Sequence, residues 1–307
     1  MKIAVMGAGA MGSLFGGLLA DAGEDVTLID VWKEHVDAIN ARGLRITGIS
    51  GDRTIEVNST TDPGKVGPVD LVIIFVKSYD TAEAARDALP MASDETVFLS
   101  LQNGLGNIDK IAEAAGKHRI IRGVTAQGST MMGPGEIYHA GQGPTVIGEL
   151  DETSTERVKR IGKAFNHAGI HTEISSNIMG ALWSKVLVNV GINPLTALTG
   201  LRNGELLDHP EIRQVMKRAV EEAMMVAQSL GIEMEFDNPV EKVYEVAEAT
   251  AANRSSMLQD VERGRKTEID ALNGAIVELG RRIGVDTPVN ATLVAAVKGL
   301  ESVRMRD

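Results

Sequence analysis

The stretch Lys2–Asp30, KIAVMGAGAMGSLFGGLLADAGEDVTLID, decides the fold. It begins with a short apolar run, Lys2–Met6, which is typical of a buried strand. A glycine-rich turn and a helical pattern over Met11–Ala22 follow, Gly23 ends the helix, and Asp25–Ile29 has the pattern of a second strand. A unit of about 30 residues with this order predicts two parallel strands joined by a helix.

The turn of this unit matches the spacing G-x-G-x-x-G. Gly7 permits the tight turn, Gly9 lets a phosphate approach the backbone, and Gly12 lets the helix pack closely on the strand. The helix N-terminus adds N–H donors and a partial positive charge. We therefore predict a dinucleotide site formed by Gly7, Gly9, Ala10, Met11 and Gly12, and the alternative is a glycine-rich turn without a ligand.

Asp30 ends the second strand, 18 residues after Gly12. A carboxylate at this position accepts hydrogen bonds from the ribose hydroxyls of NAD and repels the extra phosphate of NADP. Lys33, three residues later, would weaken that repulsion. The sequence thus favours NADH and leaves NADPH as the second choice. A simple turn or capping role is the alternative for Asp30.

Strands alternate with helices as far as Thr172, which predicts an α/β fold with an N-terminal Rossmann domain built on a doubly wound parallel sheet. A stretch rich in glycine and proline, Gly133–Gly148, is expected to form an antiparallel hairpin at the edge of that sheet. The further strands are predicted at Leu71–Val76, Thr96–Leu101, Arg119–Val124 and Thr145–Ile147.

The pattern changes after Thr172, and no strand is expected from Ser175 onward. We predict a dinucleotide-binding Rossmann domain over residues 1–173 and an all-α substrate-binding and catalytic domain over residues 174–307. Glu173–Asn177 has the composition of a linker, with Ser and Asn suited to capping the next helix. Helices are predicted at Ile178–Val190, Pro210–Leu230, Pro239–Ala252, Lys266–Ile283 and Asn290–Val303.

Two polar residues follow strands of the first domain. Lys77 comes after LVIIFV, and Asn103 comes after TVFLSL within the segment LQNGLG. Ligands of open α/β sheets bind outside the carboxyl ends of the strands, so both residues are candidates for cofactor binding. Each has an ordinary loop position as its alternative.

The segment Trp183–Pro194, WSKVLVNVGINP, places a narrow polar stripe on an apolar helix. Lys185, Asn189 and Asn193 are spaced four residues apart and share one side of the helix. Buried polar groups need partners, and a bound polar substrate would supply them. The alternative is that the stripe is satisfied within the protein.

A second polar cluster combines NRSSMLQD, which starts at Asn253, with KTEID, which starts at Lys266. It contains Ser256 and Glu268. By pattern alone, Glu268 and Asp270 are acidic residues that complement the dipole at the start of a helix.

Composition excludes several classes of function. The formal net charge is −11, and no dense run of Lys and Arg is present, so we expect no nucleic-acid partner. The chain has no Cys, which excludes disulfides and Cys-ligated metals, and we expect no bound metal. No continuous apolar run reaches the ~18 residues of a membrane span. We expect a cytoplasmic protein without a membrane partner.

These motifs together resemble the ketopantoate reductase (2-dehydropantoate 2-reductase) family. The resemblance covers nearly the whole chain and rests on GAGAMG, LQNGLGN, WSKVLVNVGINPLTAL and SSMLQDVERGRKTEIDALNG. It implies a Rossmann domain, a helical domain, an active site between them, and transfer of a hydride from NAD(P)H to the keto carbon of 2-dehydropantoate. The product, pantoate, leads to pantothenate and coenzyme A.

The resemblance also implies roles for single residues. Lys185 would be the catalytic general acid, supported by Glu268, and Asn103 would lie near the nicotinamide. The substrate-contacting positions would be Asn189, Asn193, Asn253 and Ser256.

The chain departs from the family pattern at the end of the second strand, where many members carry an arginine suited to NADPH. Here the sequence is Asp30-Val31-Trp32-Lys33. An NAD-dependent D-2-hydroxyacid dehydrogenase acting on another 2-keto acid is therefore the second hypothesis, and a non-enzymatic dinucleotide sensor is the third. The helical domain could also supply the interface of a homodimer.

Overall fold

The computed structural model describes residues 1–305. Its first elements are β1 (Lys2–Met6), α1 (Ala10–Asp21) and β2 (Asp25–Ile29). β1 and β2 are parallel, and their register runs from Lys2 opposite Asp25 to Met6 opposite Ile29. The strand–helix–strand unit predicted from the glycine-rich stretch is confirmed.

The later strands of residues 1–305 form two sheets. In chain order they are β3 (Leu44–Gly48), β4 (Arg53–Ile55), β5 (Asn58–Thr60), β6 (Val69–Ile74), β7 (Ala92–Ser100), β8 (Ile120–Thr125), β9 (Gly128–Gly133), β10 (Glu136–Gly141), β11 (Thr145–Glu149) and β12 (Thr172–Ile174). The larger sheet has the order β12-β11-β8-β7-β6-β1-β2-β5, and the smaller has the order β4-β3-β10-β9. From β5 to β8 the larger sheet is parallel, whereas β11 is antiparallel to β8.

Both faces of the larger sheet are covered, as expected for a parallel sheet. Along β1, Ile3 and Val5 join one apolar core, and Ala4 and Met6 join another. α1 and α5 (Glu156–His167) line the first core, while α3 (Thr81–Asp87) and α4 (Asn107–Ala115) line the second. The remaining helix of this region, α2 (Lys33–Arg42), contacts β5. The predicted α/β fold with a Rossmann sheet is confirmed.

The hairpin predicted at Gly133–Gly148 is wrong in position and in sheet. The observed hairpin is β9–β10, and β10 extends the smaller sheet by pairing with β3. β11 instead lies inside the larger sheet, between β8 and β12. The predicted linker Glu173–Asn177 overlaps β12. Strands of three residues, such as β12, are too short to show an alternating pattern.

The chain after β12 is helical to the end of the described residues, so the all-α C-terminal region is confirmed. Its helices are α6 (Ile178–Thr199), α7 (Pro210–Ser229), α8 (Pro239–Ala249), α9 (Ser256–Glu262), α10 (Asn273–Ile283) and α11 (Pro288–Arg304). α6 continues nine residues beyond its predicted end at Val190. The single helix predicted at Lys266–Ile283 is instead a short 3-10 turn, Ile269–Ala271, followed by α10. α9 was not predicted.

Contacts divide the chain into two units. The first unit comprises residues 1–102 and 107–178, and the second comprises residues 103–106 and 179–307.

By length and composition alone, α6 could cross a membrane. Single polar residues interrupt its apolar sequence, but its average hydropathy stays high enough for a membrane span. However, 78% of the most apolar 18-residue stretch of α6 is buried inside the protein, as in the core helix of a soluble protein.

Candidate active site

The glycine-rich turn of the first unit is fixed by its own backbone. Gly7 and Ala8 both donate their N–H groups to Ile29 O, at 2.9 and 3.1 Å. Gly7 has a φ of +92°, and a Cβ atom there would lie 2.7 Å from Val76 N. A Cβ atom on Gly12 would lie only 2.0 Å from Gly7 O. The protein itself therefore requires glycine at positions 7 and 12.

Gly9 differs from these two glycines, because a Cβ atom there would meet nothing within 4 Å. Gly9 is the N-cap of α1 and provides no side-chain cap, so the N–H groups of the first helical turn remain available. Ala10 and Met11 belong to that turn. Open space before uncapped N–H donors fits the phosphates of a dinucleotide, which would explain a glycine that the protein does not need.

A buried hydrogen-bond chain supports the turn from behind. Ser13 Oγ donates to Ala8 O at 2.7 Å and lies 3.2 Å from His35 Nε2, and Gly135 N donates to His35 Nδ1 at 2.9 Å. Because Nδ1 accepts, Nε2 carries the proton and donates to Ser13. Burial lowers the pKa of His35 and so favours this neutral form, although the Asp30 carboxylate acts in the opposite direction. No sequence motif links these separated residues.

Asp30 lies directly after β2. Its Oδ1 atom accepts a hydrogen bond from Trp32 N at 2.9 Å, which is the turn role considered as the alternative. Its Oδ2 atom accepts none from residues 1–305 and remains available. Lys33 pairs with Asp37 at 2.5 Å rather than with Asp30. The structure thus gives Asp30 a turn role and leaves one of its oxygens without a hydrogen bond to the described residues.

The two polar residues predicted at strand ends belong to different units. Lys77 lies in the turn after β6, where Lys77 O accepts from Asp80 N at 2.9 Å. Asn103 lies in the 103–106 segment of the second unit. That segment is held against the turn containing Ala271, because Leu105 N donates to Ala271 O at 2.8 Å. A Cβ atom on Gly104 would lie 2.4 Å from the same oxygen.

The second unit brings Lys185 and Glu268 together. Lys185 is partly buried on α6, whereas Glu268 is 7% exposed and directly precedes the Ile269–Ala271 turn. Burial lowers the pKa of Lys185 to about 8, and the Glu268 carboxylate opposes this effect. Glu268 is the N-cap residue of that turn and makes no side-chain cap hydrogen bond there. Asp270 pairs with Lys298 at 2.5 Å.

The predicted substrate-contacting side chains make no hydrogen bond to residues 1–305. This holds for Asn189 and Asn193 on α6, although Asn193 is only 6% exposed. It also holds for the exposed side chains of Asn253 and Ser256. The alternative that the α6 amides are satisfied within the protein is therefore not supported by this part of the chain.

Neighbouring residues that the sequence did not indicate hold these groups in place. Ser255, rather than Ser256, caps α9 by accepting from Leu258 N at 3.1 Å. The same hydroxyl lies 2.6 Å from Thr196 Oγ1 and so connects α9 with α6. Asn203 N donates to Asn253 O at 3.0 Å, which fixes the loop before α9. Among the described residues, no group of three or more His, Cys, Asp or Glu side chains could hold a metal ion.

The two glycines of the turn give a matched test of the dinucleotide site. We expect Gly12→Ala to lower Tm by roughly 4 °C or more, because its Cβ atom collides with a backbone oxygen. We expect Gly9→Ala to change Tm little and to weaken NADH binding by about tenfold, because its Cβ atom takes the phosphate space. Differential scanning fluorimetry and NADH titration measure the two effects. Unchanged NADH affinity in Gly9→Ala would contradict the phosphate role.

Comparisons with known proteins agree with this arrangement. The model of the ketopantoate reductase PanE/ApbA family matches residues 3–152, and the model of its C-terminal domain matches residues 177–301. A 2-dehydropantoate 2-reductase of Pyrococcus horikoshii is 41% identical over 303 residues, which cover 99% of this chain and 98% of the relative.

Two solved structures are similar over almost the whole chain. A PanE/ApbA family ketopantoate reductase from Ralstonia eutropha has a TM-score of 0.93 and 37% identity, with 99% of each chain covered. D-mandelate dehydrogenase, in a ternary structure with NADH and anilino(oxo)acetate, has a TM-score of 0.92 and 30% identity, also with 99% of each chain covered. The chain therefore belongs to the ketopantoate reductase family of NAD(P)-dependent oxidoreductases.

Proposed function

We propose that this chain reduces 2-dehydropantoate to pantoate, a step in the synthesis of pantothenate and coenzyme A. The observation that carries the proposal is the Lys185 ammonium beside the Glu268 carboxylate. Lys185 shares its helix with two amides, Asn189 and Asn193, that make no hydrogen bond to residues 1–305. A 2-keto acid that also carries a hydroxyl offers a carbonyl to the lysine and further polar groups to the amides. The family and the name of the Pyrococcus relative support this choice.

The chain's residues have distinct roles in the proposed reaction. The residues that would hold the dinucleotide are Gly7, Gly9, Ala10, Met11, Gly12, Asp30, Lys77 and Asn103. When bound and reduced, the dinucleotide supplies the hydride that reaches the keto carbon. The carbonyl electron pair moves to oxygen, and Lys185 stabilises the charge and donates a proton to form the hydroxyl. Glu268 keeps the lysine protonated, while Asn189, Asn193, Asn253 and Ser256 orient the substrate.

A matched set of 2-keto acids tests the proposed substrate. We expect kcat/KM for 2-dehydropantoate to exceed that for 3,3-dimethyl-2-oxobutanoate, which lacks only the hydroxyl, by about a hundredfold or more, because amides that bind a hydroxyl are left unpaired without it. NADH oxidation is followed by absorbance. Lys185→Ala should retain no more than a few per cent of kcat. Higher activity on the analogue would contradict the proposal.

A D-2-hydroxyacid dehydrogenase is the second candidate, because the similar D-mandelate dehydrogenase structure contains NADH. Phenylglyoxylate, the keto acid that corresponds to mandelate, is therefore included in the same assay. If its kcat/KM exceeds that of 2-dehydropantoate, this second function replaces the first while the role of Lys185 remains.

We propose NADH as the preferred cofactor on the basis of Asp30. We expect wild-type kcat/KM to be about tenfold higher with NADH than with NADPH, and we expect Asp30→Ala to reduce that ratio by removing the carboxylate that repels the 2′-phosphate. Asp25→Ala, at the exposed opposite end of β2, removes the same charge and should leave the ratio unchanged. A wild-type preference for NADPH, or a ratio unchanged in Asp30→Ala, would show that Asp30 does not select the cofactor.

The pKa of Lys185 predicts the pH dependence of the reaction. The ammonium form donates the proton, so kcat/KM should fall as the pH rises through about 8. Glu268 raises this pKa, and Glu268→Gln should therefore move the decline to lower pH. Glu278→Gln, whose carboxylate pairs with Arg281 and Arg282 on its own helix, is the control and should leave the profile in place. A profile unmoved by Glu268→Gln would rule out the proposed coupling.

We further assign the dinucleotide to residues 1–173 and the substrate and catalytic groups to residues 174–307, in a cytoplasmic enzyme.

A homodimer is proposed through the second unit, where an apolar groove of about 380 Å³ is lined by residues of α7 and α8. Its apolar side chains are Val220, Met224, Met225, Pro239 and Val240. Light scattering would support the dimer with twice the chain mass of 32.7 kDa and contradict it with the single mass.

A further inference from the structure

A proline interrupts the hydrogen bonding of α6 within the predicted substrate-binding turn. Pro194 lies inside the helix and has no N–H group, so Val190 O loses the donor four residues later that a regular helix supplies. Val190 is fully buried, and water is therefore not an easy replacement. An unsatisfied buried carbonyl would destabilise this turn, which carries Asn189 and Asn193.

Asn273, the first residue of α10, supplies the missing donor. Its Nδ2 atom donates to Val190 O at 3.2 Å and to Asn290 Oδ1 at 2.9 Å, and the side chain is fully buried. Both neighbours are acceptors at these contacts, so the amide must direct its NH₂ group toward them. The bond that Pro194 cannot make within α6 is thus replaced by one from another helix.

Glu222 sets the direction of this hydrogen-bond chain. Its carboxylate on α7 accepts from Val289 N and Asn290 N at the start of α11, each at 2.9 Å, and from Asn290 Nδ2 at 2.7 Å. Asn290 Nδ2 also donates to Ala219 O at 3.0 Å. With its NH₂ group committed to these acceptors, Asn290 turns its oxygen toward Asn273. The order Glu222, Asn290, Asn273 and Val190 O therefore allows only one orientation of each amide.

We propose that Asn273, oriented by Asn290 and Glu222, is a positioning residue for the substrate-binding turn of α6. It replaces the hydrogen bond that Pro194 removes and so fixes the helical turn between Asn189 and Asn193. This inference rests on the proposed substrate contacts of those two asparagines. Pro194 and this hydrogen-bond chain act as a pair, because Asn273 supplies the donor that Pro194 lacks.

A double-mutant cycle tests the proposal. We expect Asn273→Ala to raise KM for the keto acid roughly tenfold, the effect of one lost hydrogen bond, with the KM for NADH unchanged. In a Pro194→Ala background, where residue 194 regains its N–H group, the same substitution should raise KM less than about threefold. The urea midpoint of each protein is measured in parallel.

A matched asparagine separates positioning from general stability. Asn166 in the first unit likewise donates two hydrogen bonds, to Gly162 O at 2.9 Å and to Thr172 O at 2.8 Å. Asn166→Ala should lower the urea midpoint and leave KM for the keto acid unchanged. If Asn273→Ala behaves in the same way, its role is structural only and the proposal is wrong. The proposal would also be overturned if Asn273→Ala raised KM for the keto acid equally in the wild-type and the Pro194→Ala backgrounds.

The proposed function can fail separately. The wild-type enzyme is first assayed with 2-dehydropantoate and the other keto acids, and a different preferred acid changes the assigned substrate before any variant is made. The cycle is then measured with that acid. Its outcome decides the role of Asn273 whichever keto acid is reduced.

Discussion

A partly buried ammonium group is the constraint on which the helical unit depends. Removing Lys185 from water lowers its pKa to about 8, and the nearby carboxylate of Glu268 opposes that loss of charge. Buried ionised groups are tolerated only when they are paired and held in place. Glu268 must therefore be fixed, and the turn that follows it is fixed by Leu105 N, which donates to Ala271 O.

α11 supports both parts of the proposed site without contributing a predicted site residue. Near its C-terminus, Glu301 Oε1 accepts from Thr267 N at 2.7 Å, and Lys298 pairs with Asp270, which holds the turn around Glu268. At its N-terminus, Asn290 orients Asn273 toward α6. The position of Glu268 and the shape of the Asn189–Asn193 turn thus depend on the same helix.

The sequence could predict those features whose causes are local. The glycine spacing specified β1, α1 and β2, and the four-residue spacing specified the side of α6 that carries Lys185. It could not predict the smaller sheet, because β3 pairs with β10, about 90 residues later. It also favoured capping for Glu268, since a TEID pattern normally begins a helix, whereas here only a 3-10 turn follows. The support of the glycine turn by Ser13 and His35 likewise required the folded chain.

Two sets of polar side chains in the second unit differ in whether they form hydrogen bonds within residues 1–305. Glu222, Asn290 and Asn273 are buried and form hydrogen bonds with one another and with backbone groups, although Asn273 Oδ1 accepts none from the described residues. Asn189 and Asn193 lie on the neighbouring helix and make no such bonds within residues 1–305. This difference is the reason why we assign the substrate to Asn189 and Asn193 rather than to the buried asparagines. The same distinction separates Gly12, which the backbone requires, from Gly9, which only a ligand would require.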